Sequence, residues 1–370
     1  MRVASLLCLV LLLITLASCT PMPTELSAPD SLPVVRSHPW HHTHHHTARG
    51  FTNIWGAEED PPFLKAATWG VSFLLRRKEH TPAPLQPLDP DALAAPDTGA
   101  RLTWLGHSTV LLQLALPDGP LTILTDPVFA DRVSPVSFAG PKREVALPLN
   151  PADLPPVDLV LLSHDHYDHL DFAAIAFLHE RDQPLVLAPL GVGARLGTAR
   201  AVELDWWQTV ETHGLRIHCA PAKHFSGRSI SDRDATLWAS WYLEPIHDAA
   251  PRIYYAGDTG YASHFTDVRE RFGPPDLAIV PVGAYEPSWM MARVHVDPDE
   301  ALQAYEDLGG PEHGTHFVPV HWGTFDLADD PLDAPQRLLP HHAVARRLDL
   351  DRIHVLPVGG QLTVDEPVSN

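Results

Sequence analysis

The feature that most constrains this 370-residue chain is an apolar strand followed directly by a loop dense in histidine and aspartate. Residues 157–163 form a nearly continuous apolar run, typical of a buried strand, and the loop that follows reads SHDHYDHLD. Alternate side chains of an extended segment point the same way, so His164 and His166 can reach one metal ion. Asp168 and His169 follow after the chain turns and can serve a second metal. Because burying such groups is costly unless they are paired or bind metal, the loop predicts a metal site.

Two coordination spheres need more ligands than this loop supplies, so the others must follow different strands. His224, Asp258 and His321 each come directly after an apolar run. Ligand sites of layered α/β proteins lie at the carboxyl ends of strands. Each of the three alone is also compatible with an ordinary polar loop residue. Together with the first cluster, they predict one site for two metals.

Short apolar runs separated by turns continue from residue 101 to the end of the chain, with helical stretches between them. Strands are predicted at residues 102–105, 109–116, 121–125, 157–163, 185–187, 215–219, 238–244, 252–256, 277–282 and 316–320. Helices are predicted at residues 63–77, 172–180 and 299–308, the last with Asp297 as a possible N-cap before Pro298. This order predicts an α/β or α+β layered domain over residues 101–370.

The N-terminus has the composition of a secretory signal. Arg2 precedes an apolar run over residues 6–16, which is too short to span a bilayer. The run ends LASC and resembles a bacterial lipobox, which predicts removal of residues 1–18 and lipid modification of Cys19. The alternative is a plain signal peptide with an incidental cysteine. The expected location is the bacterial cell envelope, as a lipid-anchored membrane lipoprotein on its periplasmic or extracellular face.

The segment between this signal and the domain has a biased composition. Residues 19–50 are rich in Pro, Ser, Thr and His without periodicity, which predicts a flexible tether. Six of the 24 histidines lie within residues 38–46, HPWHHTHHH. A metal-collecting tract and a solvated linker both fit this run, and the linker is favoured because a flexible run carries no fixed ligand geometry. Residues 51–100 are predicted to be an extension that packs on the domain formed by residues 101–370.

The charge of the chain argues against one class of partner. Its formal net charge is −20, so it has no electrostatic basis for binding the phosphate backbone of nucleic acid. Walker, GxSxG and Rossmann motifs are absent from suitable strand-to-helix junctions. The histidine and aspartate residues are therefore the candidates for the functional site.

The loop resembles the HxHxDH motif of the metallo-β-lactamase superfamily, and the later His, Asp and His occur in the order that this superfamily uses. Several further segments resemble the branch of N-acylphosphatidylethanolamine-hydrolysing phospholipases D. These segments are GFTNIW (50–55), TWLGHST (103–109), LTDPVF (124–129), GPKR (140–143), AGDTGY (256–261), PVGAYEPSWMM (281–291), HVDPDEA (295–301) and HWGTF (321–325).

The resemblance implies an αββα sandwich of two mixed sheets flanked by helices, with two zinc ions per chain. It implies three ligands for each zinc and one bridging aspartate: His164, His166 and His224; Asp168, His169 and His321; and Asp258. It further implies that a water between the metals is the nucleophile and that Asp168 and Asp258 are catalytic.

The resemblance also suggests roles outside the ligand set. Tyr167 and His295 match positions that contact substrate. Asp126 and His107 look like partners of the ligands or residues of the cavity, and ordinary hydrogen bonding in loops is the alternative.

These residues lead to a zinc-dependent hydrolase, in particular a phosphodiesterase of the phospholipase D type acting on N-acylphosphatidylethanolamine-like membrane lipids. The residue at the bridging position is Asp258 and not a cysteine. This agrees better with the phosphodiesterase or general hydrolase branches of the superfamily than with the branch that hydrolyses β-lactams. The second hypothesis keeps the same site and assigns hydrolysis of a lactone, thioester or other ester. The third is a non-catalytic zinc-binding lipoprotein.

Overall fold

The computed structural model of the chain describes residues 32–55, 62–75, 81–197, 201–229, 231–247 and 250–365. The predicted signal peptide and Cys19 lie outside these residues.

The strands are β1 (Val35–Ser37), β2 (His46–Thr47), β3 (Gly50–Phe51), β4 (Ala100–Gly106), β5 (Thr109–Leu116), β6 (Gly119–Thr125), β7 (Leu159–Leu161), β8 (Leu185–Pro189), β9 (Ala201–Leu204), β10 (Gln208–Thr212), β11 (Leu215–Ala220), β12 (Ser240–Pro245), β13 (Ile253–Tyr255), β14 (Leu277–Pro281), β15 (His316–Val320) and β16 (Gln361–Val364).

Helices lie between the strands. The α-helices are α1 (Phe63–Leu75), α2 (Phe172–Asp182), α3 (Val192–Leu196), α4 (His264–Phe272), α5 (Ser288–Met291), α6 (Pro298–Asp307), α7 (Gly310–His313) and α8 (Ala334–Arg346). Short 3₁₀ helices occur at Pro90–Leu93, Pro151–Asp153 and Leu350–Arg352. In the part of the chain that the structure describes, no helix has both the length and the apolar character needed to cross a bilayer.

The strands form two seven-stranded sheets. The first has the order β16-β4-β5-β6-β7-β8-β9 and the second β1-β10-β11-β12-β13-β14-β15, while β2 and β3 pair separately. The strands from β6 to β9 and from β13 to β15 run parallel, and the remaining pairs of the two sheets are antiparallel. Both sheets are therefore mixed, and the prediction of an α/β fold with two mixed sheets and helices is confirmed.

Alternation along the strands separates two apolar layers. Leu112 of β5 lies in a core shared with the second sheet, which contributes residues such as Trp241. Leu111 points to the opposite face and packs with Leu178 of α2. Successive side chains of a strand face opposite sides of the sheet, so a strand buried on both faces is apolar at almost every position. This explains why the continuous run before the histidine loop predicts a buried strand correctly.

The predicted strands are all present, with ends that differ by up to two residues, and the predicted helices are present in the described residues. Asp297 caps α6 as expected: its carboxylate accepts the N–H groups of Asp299 and Glu300, and the Glu300 carboxylate accepts the Asp297 N–H. Among the elements that the sequence did not predict are β1, β9, β10, β16, α4 and α8. Pro340 lies inside α8, and an internal proline argues against a helix.

The prediction of a flexible tether is wrong for residues 32–50. β1 pairs with β10 and extends the second sheet. His45 is fully buried, and its ring stacks on Trp206 with centroids 4.2 Å apart. The composition of the segment hides these contacts because they depend on partners about 160 residues away. Residues 19–31 lie outside the described residues.

The described residues between 51 and 100 contact the domain that follows. The Trp69 indole of α1 donates to the Asp329 carboxylate (2.9 Å), and the Ala83 N–H donates to the Gly323 carbonyl (2.9 Å). The second contact is two residues from His321 in the chain. The extension therefore supports the loop that carries a candidate ligand.

Candidate metal centre

The candidate ligands lie at the carboxyl ends of strands from both sheets. The histidine loop follows β7 of the first sheet, and His224, Asp258 and His321 follow β11, β13 and β15 of the second. The Trp241 indole of β12 donates to the carbonyl of Leu162 (3.0 Å), which joins the two sheets beside the loop. The facing sheets thus bring together residues that are up to 157 positions apart.

Several residues around the site have left-handed backbones. His107, Asp126 and His321 have φ of 53°, 34° and 64°, which is uncommon for residues with a side chain. Gly257, directly before Asp258, has φ of 60°, and a Cβ there would lie 2.6 Å from the Cβ of Ser163. Such conformations concentrate at functional sites and are held by the surrounding structure. Here they direct side chains from strand ends toward one point.

The first group of ligands consists of His164, His166 and His224. Their ring nitrogens all lie within 4.8 Å of one another. His164 Nε2 is 2.8 Å from His166 Nδ1, which is 3.3 Å from His224 Nε2. His224 Nδ1 donates to the carbonyl of Val294 (2.9 Å), which leaves Nε2 free to bind a metal.

The second group contains Asp168, His169 and His321, together with His107. Asp168 Oδ2 lies 3.5 Å from His169 Nε2 and 3.4 Å from His321 Nε2. His107 Nε2 is 2.9 Å from the same oxygen. In this arrangement His107 either orients the Asp168 carboxylate or is itself close enough to join the ligand set.

Asp258 lies between the two groups. Its Oδ2 is 3.1 Å from His169 Nε2, 3.0 Å from His321 Nε2 and 3.8 Å from His224 Nε2. The side chain is 3% exposed, so water does not compensate its charge. If each group held a cation, the Asp258 carboxylate would be close to both cations.

The buried polar atoms of the site fit a pair of divalent cations. His169 Nε2, both ring nitrogens of His321, and Asp258 Oδ1 are buried and make no hydrogen bond. Native proteins rarely leave such atoms unsatisfied unless an ion or water binds them. Imidazole and carboxylate are the ligands that zinc takes in catalytic sites. The donor set therefore fits the dinuclear centre that the sequence predicts.

The electrostatics of the site favour cation binding. Burial lowers the pKa of His164, His166 and His224, so these rings are neutral and carry a lone pair for a metal. Burial alone would also lower the pKa of His169 and His321. The carboxylates of Asp258 and Asp168 nevertheless raise the pKa of His169 well above its usual value and that of His321 to about 9. Bound metals would replace these protons as the positive charge beside the carboxylates.

Asp126 orients one ligand. Its Oδ2 accepts a hydrogen bond from His169 Nδ1 (2.7 Å), which directs His169 Nε2 toward Asp258. The same oxygen accepts the Tyr255 hydroxyl (2.6 Å), and Oδ1 accepts the Ser163 N–H (2.7 Å). Asp126 is fully buried. A carboxylate held by this many donors fixes the orientation of the ligand imidazole.

Tyr167 and His295 lie on different sides of the site. The Tyr167 hydroxyl donates to the carbonyl of Arg228 (3.0 Å), and its ring lines a cavity of about 500 Å³ beside the metal loop. Arg132 and Arg228 also line this cavity. His295 Nδ1 is 3.9 Å from Asp258 Oδ2, and burial lowers the pKa of His295 to about 4. His295 thus lies beside the candidate ligands, whereas Tyr167 faces the neighbouring cavity, whose lining contains none of them.

Two residues that support the site, Tyr255 and Asp165, were not predicted from the sequence. Tyr255 binds Asp126 from β13, and only its position in a buried strand could have signalled this. Asp165, inside the loop motif, is fully buried and accepts the Gly227 N–H (2.8 Å). Arg195 lies 2.9 Å from its Oδ2. Asp165 thus ties the loop to the segment that contains Arg228.

Comparison with known proteins agrees with this geometry. The family described as the beta-lactamase superfamily domain matches residues 122–322. A protein of Mycobacterium tuberculosis described as uncharacterized is 44% identical over 284 residues, which cover 75% of this chain and 73% of that protein. The N-acyl-phosphatidylethanolamine-hydrolyzing phospholipase D 1 of Caenorhabditis elegans is 38% identical, covering 62% of this chain and 66% of that protein.

A solved structure shows the same fold. The metallo hydrolase of the archaeon Ignicoccus hospitalis superposes with a TM-score of 0.52 at 22% identity, covering 72% of this chain and 98% of that chain.

Proposed function

We propose that this protein, which belongs to the metallo-β-lactamase superfamily of metal-dependent hydrolases, is a zinc-dependent phosphodiesterase of the phospholipase D type. Its proposed substrates are N-acylphosphatidylethanolamine-like membrane lipids. The observation that carries the proposal is the position of Asp258 between the two ligand groups. The likeness to the nematode phospholipase supports the choice of substrate.

The proposed reaction is hydrolysis at phosphorus. A water oxygen bonds to phosphorus and the bond from phosphorus to the N-acylethanolamine oxygen breaks, which yields phosphatidic acid and an N-acylethanolamine. Two divalent cations at such a site supply a water of lowered pKa and neutralise charge on the phosphoryl oxygen. Asp258 and Asp168 would hold them at the reacting centre, and Asp126 keeps His169 oriented.

The surroundings of the metal loop suit an anionic headgroup. The Arg228 guanidinium lies over the Tyr167 ring at 3.9 Å, and Arg132 faces the same cavity. Guanidinium groups recognise phosphate by charge and geometry. We assign Tyr167 and His295 to contacts with the substrate, and the cavity beside Tyr167 to its polar part.

The N-terminal sequence supports attachment to a membrane. The apolar run over residues 6–16 and the LASC sequence that ends at Cys19 suit a lipid-anchored lipoprotein of the bacterial cell envelope. The acyl chains would supply the binding energy, since a chain of net charge −20 is repelled by anionic headgroups. Labelled fatty acid should be incorporated by the native chain and not by Cys19→Ser; equal labelling would exclude Cys19 as the lipidated residue.

A substrate panel tests the reaction. The purified full chain is assayed on vesicles containing N-acylphosphatidylethanolamine, on an acyl-homoserine lactone and on a thioester. We expect phosphodiester cleavage to dominate and Asp258→Asn to lower its kcat/KM by at least about a hundredfold. Asp153→Asn, on an exposed 3₁₀ helix, is the control and should retain activity. If the lactone or the thioester were cleaved in preference, the proposed substrate class would be wrong and that ester would take its place.

A further inference from the structure

The histidine tract of residues 38–46 forms a second cluster of ligand atoms, which we name the Asp205 cluster. It comprises Asp205 and three histidines of the tract: His41, His45 and His46. The three Nε2 atoms lie 3.0, 2.6 and 2.8 Å from the Asp205 carboxylate. The ligand atoms of His45, His46 and Asp205 all lie within 4.8 Å of one another. The cluster shares no residue with the centre around Asp258.

The members of this cluster are held in place by the domain. The Trp206 N–H donates to Asp205 Oδ1 (2.9 Å), and the Asp205 N–H donates to the Gln208 side chain (2.8 Å). His45 stacks on Trp206, and the His46 ring meets Phe51 edge to face at 5.1 Å. These contacts give the tract the fixed geometry that an isolated run of histidines lacks.

The chemistry of the cluster is that of a zinc site. The ligand atoms of His45, His46 and Asp205 are mutually close enough to hold one ion, and His41 Nε2 lies 3.0 Å from the same carboxylate. Imidazole and carboxylate are ligands that Zn²⁺ takes in proteins. Asp205 is held by backbone and side-chain hydrogen bonds, as carboxylate ligands usually are. His45 is buried, whereas the side chains of His41 and His46 are 19% and 36% exposed. A metal ion can therefore reach the cluster from solvent.

We propose that the Asp205 cluster binds one divalent transition metal, Zn²⁺ by its donor set, as a structural site separate from the dinuclear centre. Because of its position, this site would also affect the dinuclear centre. The same segment continues to Asn53, whose side-chain amide donates to the backbone carbonyl of His224 (2.9 Å). Metal binding at Asp205 would clamp the segment that supports this ligand loop.

Metal content of matched variants tests the proposal. The full chain is reconstituted with zinc, dialysed, and analysed by mass spectrometry of its metals. His46→Gln and Asp205→Asn should each bind one zinc fewer than the native chain. His44→Gln is the control because His44 lies in the same tract, is exposed and does not contact Asp205. Its metal content should equal that of the native chain.

Two further measurements separate this site from the proposed catalytic one. In an Asp258→Asn background, His46→Gln should still remove one zinc, whatever the activity of the dinuclear centre. Hydrogen exchange of residues 41–53 should slow on zinc addition in the native chain and not in His46→Gln.

Equal zinc content in native, His44→Gln and His46→Gln chains would overturn the proposal, since the histidines would then only donate hydrogen bonds to Asp205. Equal loss in His44→Gln and His46→Gln would also overturn it, because the tract would then collect metal without a defined site.

Discussion

Asp126 controls the orientation and basicity of the candidate ligand His169 without being a ligand itself. Its carboxylate accepts hydrogen bonds from His169 Nδ1, the Tyr255 hydroxyl and the Ser163 N–H, and it is fully buried. The hydrogen bond to Nδ1 makes Nε2 the nitrogen that faces the metal position. The charge on Asp126 also increases the basicity of His169 as a ligand.

We therefore expect Asp126→Asn to lower zinc affinity at the dinuclear centre by about 10- to 100-fold. Competition with a chromophoric chelator measures the affinity. Asp276→Asn is the matched control, since that carboxylate also accepts a backbone N–H, from Arg252 (2.7 Å), away from the ligand groups. Unchanged affinity in Asp126→Asn would show that His169 does not need this partner.

The surroundings of Glu244 predict a pH dependence of stability that does not involve the candidate metal ligands. His218, 3.5 Å away, and the Arg216 guanidinium at 2.9 Å lower the pKa of Glu244 from its usual 4.5 to about 2. A carboxyl group with a lowered folded-state pKa stabilises the fold above its unfolded pKa, and this contribution is lost as pH falls. The relevant window is therefore from about pH 4.5 to about pH 2.

The native chain should be more stable than Glu244→Gln at pH 5, and the difference should shrink toward zero by pH 2. Urea unfolding of both proteins in the presence of chelator measures the free energy of unfolding at each pH. A difference that stays constant across this window would mean that the Glu244 charge contributes no stability.

Residue by residue, the sequence predicted which candidate ligands lie close together better than it predicted the residues around them. His164, His166 and Asp168 stand in one short motif beside a strand, so their spacing carries the information. Tyr255 and the left-handed backbone of His321 could not be predicted, because they depend on which strand lies opposite.

At the scale of elements, the site depends on loops that pass very close to one another. Gly283 follows β14, and a Cβ at this position would lie 1.9 Å from the carbonyl oxygen of His321. The backbone cannot absorb that overlap without moving the His321 loop. The spacing between the ends of β14 and β15 thus requires glycine.

Gly283→Ala should lower zinc affinity and kcat/KM at least about tenfold, because the His321 imidazole would be displaced. Metal competition and the vesicle assay measure the two effects. Gly70→Ala in α1 is the control: nothing lies within 4 Å of the added methyl group, and the change should stabilise the helix by about 0.5–1 kcal/mol. Native affinity in Gly283→Ala would mean that the loops tolerate the added volume.

Elements with a strong local sequence signal were predictable, and those defined by tertiary contacts were not. β5 is a nearly continuous apolar run and α6 begins with a capping box, so the local sequence specifies both. β9 is a four-residue strand with alternate positions only half-buried, and α8 contains an internal proline. Both are determined by packing on the domain, which overrides local preference.

For the whole molecule, the sequence predicted the two mixed sheets through the family resemblance and through the order of strands and helices. It did not predict that the N-terminal segment joins the second sheet. β1 has three residues and pairs with β10, a contact that spans about 170 positions. Short strands with distant partners leave little local signal.

The proposed function of the whole molecule is metal-dependent attack of water at phosphorus. The most direct measurement is mass spectrometry of the products formed from N-acylphosphatidylethanolamine in ¹⁸O-water, with chelated enzyme and after zinc is restored. We expect ¹⁸O to enter phosphatidic acid and not the N-acylethanolamine, and product to form only with metal. Label in the N-acylethanolamine, or equal turnover by the chelated enzyme, would contradict it.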